Sequence, residues 1–176
     1  MGFVRLVKKA KKGSKEALLQ LIHEQQDAYY RLALTYMKNP HDAMDAMEEM
    51  IVSLYQSIHQ LQKEEAFYSW SKTILVNRCK QMLRKREKVV LMGDAEETFH
   101  TGKIQDVMRQ SEQRMDLQEM LAVVNSEQKE AIELKYFHDL DYVTIANITN
   151  VSIGTVKSRV FNGLKKMREQ FGGDGV

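Results

Sequence analysis

Hydrophobic residues recur every three or four positions along most of the chain, and nowhere alternate by two long enough to make a strand. Leu18, Leu21, Ile22, Tyr29, Leu32, Ala33 and Tyr36 share one helical face, and Ser14 stands where it can cap the first turn. This spacing predicts one helix from Ser14 to about Asn39. Asn39-Pro40 also opens the next helix, because Asn39 can cap and Pro40 suits a first position whose N–H has no partner anyway. There Met44, Met47, Ile51, Leu54, Ile58 and Leu61 form a narrow apolar seam, with Asp42, Asp45, Glu48 and Glu49 outward. The pattern lapses at Gln62–Glu65, a short loop.

A third helix is expected from Ala66 to Arg86, with Phe67, Trp70, Ile74, Leu75, Cys79, Met82 and Leu83 inward. Asn77, Lys80, Gln81 and Arg84 fall on another face, giving one helix an apolar side and a basic, amide-bearing side. From Val89 to about Gln113 the periodicity degrades around Gly93 and Gly102, as in a linker. Helices resume at Met115–Val124 and, capped by Ser126 or Asn125, through Tyr136. The expected fold is all-α: two small helical domains, 1–88 and 113–171, joined by a flexible linker at 89–112 and followed by a tail at 172–176.

The most specific pattern lies between Asp141 and Val160. Ile145, Ala146 and Ile148 support a short helix, Asn150 can take the left-handed turn conformation, and Ser152 precedes a second helix resting on Val151, Val156 and Val160. The polar face of that second helix shows Lys157, Ser158, Arg159, Asn162 and Lys165. This is a helix-turn-helix pattern, whose second helix enters the major groove. Arg and Asn suit bidentate base contacts, while Lys and Ser mostly hold phosphate. The plain alternative is a three-helix bundle with a solvated basic face.

Charge sharpens the picture. The net charge of +2 hides segregation: residues 1–15 hold Arg5, Lys8, Lys9, Lys11, Lys12 and Lys15 with no acid. Residues 41–65 are acidic, 72–91 basic, 92–119 acidic and 152–169 basic. The last two basic blocks suit a chain that touches a polyanion at two places. One Cys excludes an intramolecular disulfide framework and a Cys-cluster metal site. His23, His41, His59, His100 and His138 show no ligand spacing, so no metal or cofactor is expected. There is no nucleophile–base pair and no Gly-rich phosphate loop, which speaks against an enzyme. No run of about 18 apolar residues exists. The expected setting is a reducing cytoplasm.

In order and spacing, these parts resemble the small two-domain RNA polymerase sigma factors of the extracytoplasmic function (ECF) group, within the sigma-70 family. Asp42–Leu61 is similar to the family's polymerase-core-binding helix, and Phe67–Arg86 to its promoter-melting and −10-reading helix. Tyr142–Ala146 with Val151–Arg159 resembles its −35-reading helix-turn-helix. The resemblance implies that Asp45, Glu48 and Glu49 dock on the clamp helices of the polymerase large subunit. It also implies that Leu61 and the loop to Ala66 line a pocket for a flipped −10 base beside Asn77, with Lys80, Gln81 and Arg84 along the strand. Lys157, Ser158, Arg159, Asn162 and Lys165 would read the −35 element, and an anti-sigma factor would control the whole. Three positions depart from the family pattern: Glu48 stands for Gln, Val124-Asn125 for Leu-Pro, and Asn150 for the turn Gly.

A different class remains, a helix-turn-helix regulator with an N-terminal helical sensor or dimerisation domain. A regulator of that kind needs neither the acidic helix nor the basic Asn77–Arg84 face.

Overall fold

The computed structural model describes residues 2–91 and 112–172, and these fall into two compact units divided between residues 98 and 99. All the regular structure among the described residues is helical. The expected linker lies mostly outside the described residues.

The first unit contains α1 (Phe3–Lys11), α2 (Lys15–Glu24), α3 (Gln26–Met37), α4 (Pro40–Ser57) and α5 (Phe67–Leu91). Short 3-10 turns at Ile58–Gln60 and Glu64–Ala66 join α4 to α5. Ser14 caps α2, its hydroxyl accepting from the Ala17 amide at 3.2 Å. Asn39 caps α4, accepting from the Asp42 amide at 2.8 Å, with Pro40 in the first turn. Tyr29 meets Ser71 and Lys80 lies over Tyr36, so α3 and α5 run parallel. Arg86, near the end of α5, reaches Asp42 at the start of α4 at 2.6 Å, so α4 runs against α5. Leu21, Tyr29, Leu32, Met50, Leu54, Phe67 and Leu75 are fully buried between these helices. Each such side chain contributes about 1.5–3 kcal/mol of burial free energy.

Four expectations need correction. The helix predicted from Ser14 to Asn39 is broken at Gln25 (φ −121°, ψ 27°), which separates α2 from α3. The seam of α4 is rotated: Ala43, Ala46, Met50 and Leu54 face inward. Met44 is exposed, and Met47 and Ile51 are half-buried. Small Ala43 and Ala46 take the inward positions of the first turns and Met44 is turned out, whereas Leu54, Ile58 and Leu61 are buried as their spacing predicted. In α5, Ser71 and Val76 are buried, whereas Trp70, Ile74, Met82 and Leu83 are only half-buried, and the helix runs past Arg86 to Leu91. The basic N-terminal segment, given no element by its spacing, forms α1 on the strength of buried Leu6, Val7 and Ala10.

The second unit contains α6 (Glu112–Leu121), α7 (Ser126–Ile132), a π-helical turn (Glu133–Phe137), α8 (Tyr142–Thr149) and α9 (Ile153–Phe171). The α7 cap is Asn125 rather than Ser126. Its side chain accepts from the Gln128 amide at 2.8 Å, while the Gln128 side chain accepts from the Asn125 amide at 3.2 Å. These two bonds make a reciprocal capping box. Leu121, Val124, Ile132 and Met167 form one core cluster. Gly163 lets α9 lie against α7, for a Cβ there would come within 2.6 Å of Ile132 Cδ1.

Candidate nucleic-acid and partner interfaces

The acidic residues of α4 divide between two directions. Asp45 is 3.5 Å from His41 Nε2, and Glu49 lies on the same side one turn on, close enough for its charge to be felt at Cys79 of α5. Glu48 stands on a stripe with Met44, Val52 and Tyr55, spaced by four, four and three. These apolar members are 57 %, 56 % and 45 % exposed, left outward by the rotated seam. Lys15 holds its ammonium 5.2 Å from the centre of the Tyr55 ring at the far end. The outer face of α4 therefore joins acid to a fixed apolar stripe, a composition suited to a protein partner with basic and apolar groups.

Asp42 serves the fold. Burial works against its charge, but hydrogen bonds from Arg86 and Asn39 outweigh that effect and hold its carboxyl below the usual aspartate value. The ligating atoms of His41, Asp42 and Asp45 lie within 4.8 Å of one another. Asp42 is already engaged by Arg86 and Asn39, so the arrangement serves as a cap and a helix tie.

On α5, Asn77, Gln81 and Arg84 are exposed and share one face, as their spacing predicted. Lys80 is half-buried, its ammonium 5.8 Å from the centre of the Tyr36 ring. That places Tyr36 beside the basic face, although its spacing had assigned it to the core. Arg78 donates to the Gln81 side-chain oxygen at 3.1 Å. Leu61 is 6 % exposed, so its side chain is packed inward, and Gln62, Lys63 and Glu65 are the exposed loop residues.

The start of α5 gathers aromatic rings. Phe67 and Tyr68 meet edge to face with centroids 5.4 Å apart, Trp70 lies 6.3 Å from Phe67, and Phe3 of α1 stacks on Tyr68 at 5.0 Å. The Tyr68 hydroxyl donates to the Leu21 carbonyl or the Glu24 carboxylate, at 3.2 and 3.3 Å. Burial and the Glu24 charge push its pKa up to about 12. Burial likewise pushes the Cys79 thiol up to about 12.

In the second unit the helix-turn-helix forms as the spacing implied. Asp141 caps α8 by accepting from the Thr144 amide at 2.8 Å, and hydrogen bonds from the Thr144 side chain and then its amide hold its carboxyl below the usual value. Asn150 turns the chain with φ 58° and ψ 43°. Ser152 caps α9, accepting from the Thr155 amide at 3.1 Å. Lys157, Ser158, Asn162 and Lys165 are exposed on α9. The ammonium of Lys157 lies 5.6 Å from the centre of the Tyr142 ring, with that of Lys135 at 4.6 Å.

Arg159 stands apart from the other polar residues of this face. Only 19 % of its side chain is exposed, and it pairs with Glu127 of α7 at 3.5 Å along a polar groove between α7 and α9. Phe161, one position before Asn162, is 68 % exposed. Hydrophobic spacing gives no hint of that, since a Phe inside a helix reads as core until neighbouring helices are placed. A second, apolar groove is lined by Leu117, Leu121, Ile132, Tyr136, Phe137 and Met167.

Comparison with known proteins places these two units. The model of sigma-70 region 2 matches residues 21–89, and that of sigma-70 region 4 matches residues 114–167. The RNA polymerase sigma factor SigV of Bacillus subtilis is 34% identical over 162 residues, covering 92% of this chain and 95% of that protein. The ECF RNA polymerase sigma-E factor of Haemophilus influenzae is 30% identical over 167 residues, 89% of this chain and 88% of its own. CnrH, solved in complex with the cytosolic domain of CnrY, shares the fold at a TM-score of 0.68 and 16% identity, covering 98% of this chain and 99% of that one. The sigma factor RpoE of Bartonella quintana, solved with the anti-sigma factor NepR, gives 0.65 at 22% identity over 88% of this chain and 96% of its own.

Proposed function

The chain belongs to the ECF group of the sigma-70 family, and from that premise we propose how its surfaces divide the work of a sigma factor: binding RNA polymerase core and directing initiation at chosen promoters. The observation that carries the assignment is the pairing, within one compact unit, of an acidic–apolar α4 face with a basic–amide α5 face. We assign residues 1–88 to core binding and −10 melting, 89–112 to a tether, and 113–171 to −35 recognition.

On α4, Glu48 with Met44, Val52 and Tyr55 forms the centre of the polymerase contact, and Asp45 and Glu49 flank it. The partner surface is the pair of clamp helices of the large subunit. On α5, Asn77, Gln81 and Arg84, with Lys80 beside Tyr36, follow the melted −10 strand. A base leaving the stack costs a few kcal/mol, which a pocket and a cationic groove must offset. The loop from Leu61 to Ala66 borders that pocket. Leu61 acts from inside, as the packed residue that fixes the loop. Along α9, Asn162 reads base edges, Lys157, Ser158 and Lys165 hold phosphates, and exposed Phe161 meets a thymine methyl. Arg159 joins them once Glu127 releases it. The chain contributes recognition rather than catalysis and works where the polymerase works, in the bacterial cytoplasm. An anti-sigma factor that covers the exposed apolar stripe of α4 would withhold it from the core.

The test is co-elution of the purified chain with bacterial core polymerase on size exclusion, beside the Glu48→Lys/Glu49→Lys variant. Co-elution weakened by the charge reversal supports the docking. Absence of co-elution, with tight binding of the free chain to a palindromic duplex, would favour a dimeric regulator instead.

A further inference from the structure

No role above uses the cationic residues of α1. Leu6, Val7 and Ala10 bury the inner side of this helix, and Phe3 lays its ring on Tyr68. Near its other end, Lys11 pairs with Glu64 at 3.4 Å. Thus α1 lies along the Glu64–Ala66 turn and the aromatic first turn of α5. That is the segment beside the proposed base pocket.

The outer side of α1 presents Arg5, Lys8, Lys9 and Lys12, all exposed, at spacings of three and four that put them on one stripe. None of the four makes an ion pair among the described residues. The nearby acids offer the stripe little: Glu64 pairs with Lys11 and feels only the charge of Lys8, and Glu24 accepts from the Tyr68 hydroxyl. Like charges four apart, Arg5–Lys9 and Lys8–Lys12, repel each other on a helix. The macrodipole favours cations in the last turn but disfavours Arg5 in the first. Helix-end electrostatics therefore do not account for an uninterrupted cationic stripe. An external polyanion would supply the missing counter-charge.

We propose that α1 is a second holder of the melted promoter strand, with Arg5, Lys8, Lys9 and Lys12 taking phosphates on the α1 side of the base pocket. This rests on the −10 assignment to α5. A cationic stripe beside clustered aromatic rings has the composition of single-strand grooves, where charge tracks the backbone and rings meet the bases. An acidic protein would use the charge but not its place beside that loop.

The experiment measures binding of the full chain to labelled single-stranded oligonucleotides of mixed sequence, from about 6 to about 20 nucleotides, across a salt titration. The wild type is compared with Lys8→Ala/Lys9→Ala/Lys12→Ala and with Lys80→Ala/Arg84→Ala. Affinity of the wild type should keep rising with length until the strand spans both α5 and α1. In the α1 variant the rise should stop at a shorter length, and the log–log salt slope should become shallower by about 2, the counterion release of three lost contacts. Equal weakening at every length, or no weakening, overturns the proposal. So does loss of core-polymerase co-elution with DNA binding unchanged, which would give the stripe to an acidic protein surface. If the Lys80→Ala/Arg84→Ala variant binds as the wild type does, the −10 assignment itself fails, whatever α1 does.

Discussion

The Tyr29 hydroxyl lies 2.7 Å from Ser71 Oγ in the fully buried contact between α3 and α5. Ser71 has one proton and directs it at the Tyr68 carbonyl, 3.1 Å away, so Tyr29 donates and Ser71 accepts. Burial pushes the phenol well above the usual tyrosine range and keeps it protonated. The pair fixes how far along its axis α5 sits against α3, and with it the level of the basic face.

Its two halves should respond unequally to substitution. Tyr29→Phe leaves Ser71 bonded to the Tyr68 carbonyl and should cost about 1 kcal/mol. Ser71→Ala strands a buried phenol and should cost more, up to about 3 kcal/mol. Urea unfolding midpoints at constant m decide this; equal costs would refute the assigned donor.

Gly163 should show the close approach of α9 to α7. Helix propensity favours Ala there by about 1 kcal/mol, while overpacking against Ile132 and Gln128 costs about 1–3 kcal/mol. Gly163→Ala should therefore destabilise the wild type. In an Ile132→Val background, which lacks Cδ1, the same change should be neutral or stabilising, as read by the urea midpoint of the double-mutant cycle.

These two contacts show what the sequence could and could not disclose. Caps at Ser14 and Asn39 and the turn at Asn150 were legible because their chemistry is local. The first half of the α4 seam was misplaced because a close helix approach selects Ala43 and Ala46 over larger Met44 and Met47, a choice made by partners distant in sequence, while Leu54, Ile58 and Leu61 were read correctly. The break at Gln25 has no Gly or Pro to announce it. Asn77, Gln81 and Arg84 were legible as a face, but the burial of Leu61, the tie of Arg159 to Glu127 and the exposure of Phe161 depend on tertiary neighbours.

Glu127 should restrain Arg159. Glu127→Gln removes a negative charge from the groove and frees the guanidinium, so duplex affinity of the chain should rise several-fold at low salt. Lys157→Ala should weaken binding to all sequences and lower the salt slope by about 1. Asn162→Ala should cost about 1–3 kcal/mol on the preferred site alone. Anisotropy titrations on preferred and scrambled duplexes separate these cases.

Asp42 should report acid sensitivity in the first unit. Its folded pKa lies below the ordinary 3.8, so its stabilising contribution is complete above that value and is lost as pH falls through the lower folded one. Arg86→Ala removes one cause of the depression. The variant should lose stability above pH 3.8 and converge with the wild type in stronger acid, as followed by helix content against pH.

The single thiol of the chain is sealed inside the first unit and held protonated. Alkylating reagents act on thiolates, so the native chain is chemically silent toward maleimides while folded. A cysteine introduced on the outer face of α4 or α9 would be the one reactive handle. Dyes or spin labels could then follow each surface through holoenzyme assembly and promoter opening without first removing Cys79.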